Sequence, residues 1–75
     1  MEDLKPIIAR NISALRQAAG MTQMELAEAL HYSDKAVSKW ERGESLPDVT
    51  ILKKISQLFE VTVDYLLEAD NAVLV

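Results

Sequence analysis

The stretch from Thr22 to Arg42, TQMELAEALHYSDKAVSKWER, contains two helix start signals separated by a short interruption. The first is a capping box, in which the Thr22 hydroxyl and the Glu25 carboxylate each satisfy a free backbone N–H at the start of a helix. Leu26 and Leu30 follow at helical spacing. We therefore predict a short helix that begins after Thr22 and ends near Leu30.

The second start signal is Ser33, a favoured helix N-cap that only His31 and Tyr32 separate from this first helix. It predicts a helix that ends at Arg42, because Gly43 is placed to stop it. Val37 and Trp40 fall on one face of this helix, and the opposite face is polar. Two short helices joined by a tight turn are typical of proteins that place the second helix in the major groove of DNA.

Three further helices are predicted around this pair. The first runs from about Asp3 to Ala19, because apolar residues such as Ile8 and Ile12 recur at helical spacing and Gly20 follows. After Pro47, Asp48 is the predicted cap of the fourth helix and Thr62 that of the fifth. The apolar positions of the fourth helix are Leu52, Ile55, and either Leu58 or Phe59. These patterns predict an all-α domain of five helices over residues 1–70, with residues 71–75 as a tail or the start of a further segment.

Composition restricts the function classes. The chain has 75 residues and no cysteine, so it is expected to form one core without disulfides or zinc sites that need a cysteine pair. It carries a net charge of -4, an unfavourable sign for a protein that approaches a polyanion. Residues 1–59 hold equal numbers of acidic and basic side chains. The excess of negative charge therefore comes from Glu60, Asp64, Glu68 and Asp70.

Several residue sets together resemble a known family. They are Thr22-Gln23 with Leu26-Ala27, Ser33 with Val37, Trp40-Glu41-Arg42-Gly43, and Leu46-Pro47-Asp48. This linked pattern is similar to the lambda-repressor-like, Xre-type helix-turn-helix domains and covers about residues 7–68. The resemblance implies a compact five-helix fold and sequence-specific binding to double-stranded DNA.

The resemblance also implies roles for individual residues. Phosphate contacts are expected from three positions, and base reading from the outer face of the second helix of the motif. The phosphate-contacting positions are Gln23, Ser33 and Arg42, and the base-reading positions are Asp34, Lys35, Ser38 and Lys39. Lysine can donate to guanine and aspartate can accept from cytosine, so a half-site containing G/C pairs is expected. Without the family pattern, the two lysines would simply form a solvated helix face.

Two further expectations concern structure. Similar domains join the positions of Arg16 and Glu41 by an ion pair, which would tie the reading helix to the first helix. The family usually has glycine where His31 stands, because the turn there has a left-handed backbone. A non-glycine residue in that conformation costs about 1–2 kcal/mol.

The implied partners are double-stranded DNA and a second copy of the chain, with repression of transcription as the implied outcome. An alternative is a protein-interaction module, such as an antitoxin or adaptor, that uses the same fold and its acidic C-terminal stretch. The apolar residues Ala72-Val73-Leu74-Val75 are compatible with a sensor, effector or membrane segment beyond them.

An enzyme is not expected. His31, Ser33 and Asp34 are the residue types of a hydrolase triad, but near-neighbours in one capped turn do not converge on a reacting atom. The lone histidine has no partners at metal-ligand spacing, so no metal or cofactor is expected. No apolar run of membrane-spanning length and no signal peptide are visible, which predicts a cytoplasmic protein.

Overall fold

A computed structural model describes residues 3–69, and within this range the chain forms helices and no strand. The helices are α1 Leu4–Ala18, α2 Gln23–Leu30, α3 Asp34–Glu41, α4 Val49–Phe59 and α5 Val63–Leu67. The prediction of an all-α domain with five helices is therefore confirmed. The expectation for residues 71–75 lies outside the described residues.

The helices begin where the capping side chains predict. Thr22, Ser33, Asp48 and Thr62 each accept a hydrogen bond from the backbone N–H three residues later, and both halves of the box between Thr22 and Glu25 are present. Asp3 caps α1 in a similar way. Each cap satisfies a donor that the helix itself cannot pair, so these polar side chains set the helix boundaries.

The core lies where α1, α2, α3 and the two C-terminal helices meet. Its fully buried side chains are Ile8, Ile12, Leu26, Leu30, Val37, Ile55 and Leu66. Trp40 is also buried and packs within this core. Of the two alternatives at the end of α4, Phe59 packs against the core, whereas Leu58 is exposed.

Asn11 is a structural residue that the sequence patterns did not indicate. It is buried, and its side-chain amide donates at 2.9 Å to the carbonyl oxygens of both Leu66 and Glu68. Those carbonyls lie at the end of α5, and Asn11 brings them a hydrogen-bond donor from outside that helix. Asn11 therefore joins α1 to the C-terminal end of the fold.

Two helices end in a left-handed residue that is not glycine. His31 after α2 has φ 55° and ψ 47°, and Glu60 after α4 has φ 56° and ψ 42°. Glycine adopts this conformation without the steric cost that a Cβ brings. The left-handed turn expected at His31 is present, and the sequence patterns did not indicate the second one at Glu60.

Replacing either residue with glycine is expected to stabilise the domain. His31→Gly and Glu60→Gly each relieve strain of about 1–2 kcal/mol, offset in part by about 0.5–1 kcal/mol of added freedom in the unfolded chain. The net gain of about 0.5–1 kcal/mol corresponds to a rise in Tm of roughly 2–8 °C. Thermal denaturation followed by circular dichroism measures it.

Ala19→Gly is the matched control, because Ala19 ends α1 in a right-handed conformation with φ -83°. Glycine there relieves no strain and is expected to lower Tm. A fall in Tm for both His31→Gly and Glu60→Gly would show that these side chains stabilise the turns in another way.

Candidate nucleic-acid interface

Helix α3 is held against the core along one face. Val37 and Trp40 are buried, and the ring of Tyr32, from the turn before α3, stacks on Trp40 with 5.5 Å between ring centroids. This packing assigns Trp40 to the core and turns the opposite face of α3 outward. Asp34, Lys35 and Lys39 on that face are exposed to solvent.

An open cleft of about 340 Å³ follows the outer face of α3 to the start of α2. It is lined by Gln23, Asp34, Lys35, Ser38, Lys39 and Arg42. These are six of the seven residues for which the sequence predicts DNA contact, so the fold gathers them on one surface. We call this surface the α3 cleft.

Ser33 is the seventh residue and does not line the α3 cleft. Its hydroxyl oxygen caps α3 by accepting a hydrogen bond of 3.1 Å from the backbone N–H of Ala36. The side chain is exposed, and a hydroxyl that accepts this bond still has its own proton to donate. Ser33 thus stands at the N-terminus of α3, where free N–H groups favour an anion.

Arg16 in α1 and Glu41 at the end of α3 form an ion pair. Arg16 donates from Nε to Glu41 Oε2 at 2.7 Å and from Nη2 to Oε1 at 3.0 Å. The two side chains are only 14% and 7% exposed. Hydrogen bonding to Glu41 raises the pKa of Arg16 against the opposing effect of burial, so the guanidinium stays charged. A third bond, from Arg16 Nη1 to the Met21 carbonyl at 2.8 Å, joins the same guanidinium to the segment between α1 and α2.

Gln23 extends this network to the cleft. Its side-chain Nε2 donates to Glu41 Oε1 at 3.1 Å, which the sequence patterns did not indicate. The side-chain carbonyl and the second amide proton are not used in that bond. The first residue of α2 and the last residue of α3 are therefore joined through the same carboxylate that holds Arg16.

Arg42, the C-cap of α3, is paired with an acidic residue that the sequence patterns also missed. Its Nε donates to Glu44 Oε2 at 2.6 Å, and its Nη1 donates to the Ser38 hydroxyl. The hydrogen bond to Glu44 raises the pKa of Arg42, and the bond from Arg42 lowers the pKa of Glu44. Both side chains are about half exposed. The sequence signal for this pair is the spacing, because Glu44 comes two positions after Arg42 at the end of the helix.

Over residues 3–69, no three His, Asp or Glu side chains are grouped closely enough to hold a metal ion. No helix in this range is both long and apolar enough to cross a membrane.

Comparison with known proteins also indicates a helix-turn-helix domain. Residues 12–66 match the profile of the helix-turn-helix family. The chain is 42% identical over 62 residues to the HTH-type transcriptional activator BcrR of Enterococcus faecalis. It is 40% identical over 64 residues to the HTH-type transcriptional regulator ImmR of Bacillus subtilis. These matches cover 83% and 85% of this chain but only 30% and 50% of the two relatives.

A solved structure shows the same fold. The hypothetical transcription factor NHTF from Neisseria superposes with a TM-score of 0.85 at 26% identity. The superposition covers 96% of this chain and 83% of the Neisseria chain. The two chains therefore share their fold over most of the length of each.

Proposed function

Because the chain belongs to the lambda-repressor-like, Xre-type helix-turn-helix family of transcriptional regulators, we propose that it binds specific sequences of double-stranded DNA through the α3 cleft. Six of the predicted contact residues lie together on one exposed surface, and this arrangement supports the proposal. We propose that the protein acts in the cytoplasm, because a regulator of this kind must reach the DNA. We propose no catalytic activity.

Base reading falls to the outer face of α3. Lys35 and Lys39 are exposed and lie one helical turn apart, so both can reach the same groove. Lysine donates to guanine O6 and N7, and Asp34 can accept from the amino group of cytosine. Ser38, between them on the cleft wall, can act as donor or acceptor.

Phosphate contacts flank this face and position it. Gln23 and Ser33 stand at the N-termini of α2 and α3, where backbone N–H groups and the helix dipole favour an anion. Arg42 lies at the other end of α3 and supplies a charge. These contacts are independent of sequence and fix the orientation of α3 in the groove.

The protein is proposed to act as a dimer on two half-sites about 34 Å apart. The balance of charges over residues 1–59 provides few phosphate contacts for one copy, so useful affinity requires a second. Repression is the proposed outcome, because occupancy of an operator by itself blocks transcription. Activation, which is named for the Enterococcus relative, needs a productive contact in addition to occupancy.

Selection of binding sequences from random duplex DNA tests this proposal. The expected result is one enriched motif, repeated in inverted orientation with about 10 base pairs between half-site centres. Enrichment of a single half-site would contradict the proposal of a dimer but would still support sequence-specific binding to DNA. Absence of any enriched motif at low salt would refute the proposed function and favour a protein partner.

A further inference from the structure

The Arg42 guanidinium is paired with groups of the same chain in this structure. Its guanidinium carries five N–H donors, and Glu44 takes two of them, through Nε at 2.6 Å and Nη2 at 3.4 Å. The Ser38 hydroxyl takes a third. Three of the five donors of Arg42 are thus already taken by groups of the same chain, two of them by a carboxylate.

The backbone holds Glu44 in this position. Gly43 has φ +72°, its N–H donates to the Trp40 carbonyl at 3.1 Å, and the N–H of Glu44 donates to the Lys39 carbonyl at 2.9 Å. These two bonds are the Schellman arrangement that ends many helices. The turn that ends α3 therefore fixes the backbone of Glu44 close to Arg42, and the Glu44 side chain reaches the guanidinium from there.

Glu44 changes the charge of the cleft substantially. Three cationic side chains, Lys35, Lys39 and Arg42, line the cleft together with one carboxylate, Asp34. Glu44 adds a second carboxylate at the cleft edge and neutralises Arg42. In a domain with so few cations on its binding surface, each one is a large share of the attraction to phosphate.

We propose that Glu44 competes with DNA phosphate for Arg42 and so limits the affinity of the domain for DNA of every sequence. This inference rests on the proposed function. The pair is half exposed on both sides, so it contributes little to folding and a phosphate can displace it. A phosphate contact carries no sequence information, so the limit applies equally to operator and non-operator DNA.

The pair is intact at neutral pH. The hydrogen bond from Arg42, and secondly its charge, lower the pKa of the Glu44 carboxyl from its ordinary value. A group with a lowered pKa in the folded state keeps its interaction above its unfolded pKa and loses it as pH falls through the folded value. Competition for Arg42 is thus present throughout the neutral range.

The experiment compares Glu44→Gln with the native chain in fluorescence anisotropy titrations. The probe is a labelled duplex of mixed sequence, about two helical turns long, at low ionic strength. Glu44→Gln is expected to tighten binding roughly twofold to tenfold, because it frees Arg42 and removes a carboxylate facing the phosphate. Its Tm should match that of the native domain.

Two controls isolate the mechanism. Glu60→Gln changes net charge by the same amount at the end of α4, outside the α3 cleft, and should tighten binding much less. In an Arg42→Gln background, the gain from Glu44→Gln should fall to the level of Glu60→Gln. This double-mutant cycle separates competition for Arg42 from a general effect of charge.

Three outcomes would overturn the inference. Weaker binding by Glu44→Gln would mean that Glu44 orients Arg42 for phosphate. A gain equal to that of Glu60→Gln would mean that only net charge matters. A larger gain that persists without Arg42 would mean that Glu44 acts on the other cleft charges, such as Lys39, and does not compete for Arg42. If the native chain itself fails to bind the duplex at low salt, the proposed function fails too, which the native titration alone reveals.

Discussion

Glu41→Ala is expected to lower the free energy of unfolding by about 3 kcal/mol, which corresponds to a fall in Tm of roughly 12–24 °C. The substitution leaves Arg16 charged and 14% exposed, with the Met21 carbonyl as its remaining partner. Breaking a buried ion pair costs about 3–5 kcal/mol, and the partial exposure of Arg16 places this pair at the lower end. Thermal and urea denaturation measure the loss.

Two variants show whether a stranded charge causes the loss. Glu44→Ala removes the same side chain from the half-exposed pair with Arg42 and should leave Tm almost unchanged. Arg16→Met combined with Glu41→Leu removes both charges and should recover part of the stability lost by Glu41→Ala. A Glu41→Ala variant that melts with the native domain would refute the structural role of the pair.

Lys35→Ala and Lys39→Ala are each expected to weaken binding to the selected DNA sequence about tenfold to hundredfold. Both lysines are exposed on the outer face of α3, where a bidentate contact to guanine discriminates by about 1–3 kcal/mol. A scrambled duplex offers phosphates but no matching bases, so binding to it should weaken much less. Competition titrations with the two duplexes measure the difference.

Gln23→Ala and Lys54→Ala are the controls for this prediction. Gln23 is a proposed phosphate contact, so its loss should weaken both duplexes alike. Lys54 is exposed on α4 and outside the cleft, and its loss tests the effect of removing one positive charge. Equal weakening of both duplexes by Lys35→Ala and Lys39→Ala would show that these lysines contact phosphates and do not read bases.

Helix boundaries could be predicted from the sequence because the signals that set them are local. Thr22, Ser33, Asp48 and Thr62 each act on a backbone N–H three residues away, within a single turn of chain. The inner face of α3 could be predicted equally well, since apolar residues at helical spacing must turn towards a core. The left-handed turn at His31 was expected from the family pattern.

Contacts between residues far apart in sequence were harder to predict. Asn11 reaches carbonyls at the end of α5, and no motif in the sequence marks a polar residue that will be buried there. The bond from Gln23 to Glu41 depends on how α2 packs against α3. The family pattern named the pair of Arg16 and Glu41, and the structure contains it, but its burial follows only from the packed fold.

DNA is proposed to bind on the α3 cleft, and nuclear magnetic resonance can locate the bound surface residue by residue. Backbone amide shifts of the native chain would be followed while unlabelled duplex of mixed sequence is added at low salt. We expect the largest changes at the start of α2 and along α3 from Ser33 to Arg42, with small changes in α4 and α5. Largest changes on α4 or α5, or no changes at saturating duplex, would contradict it.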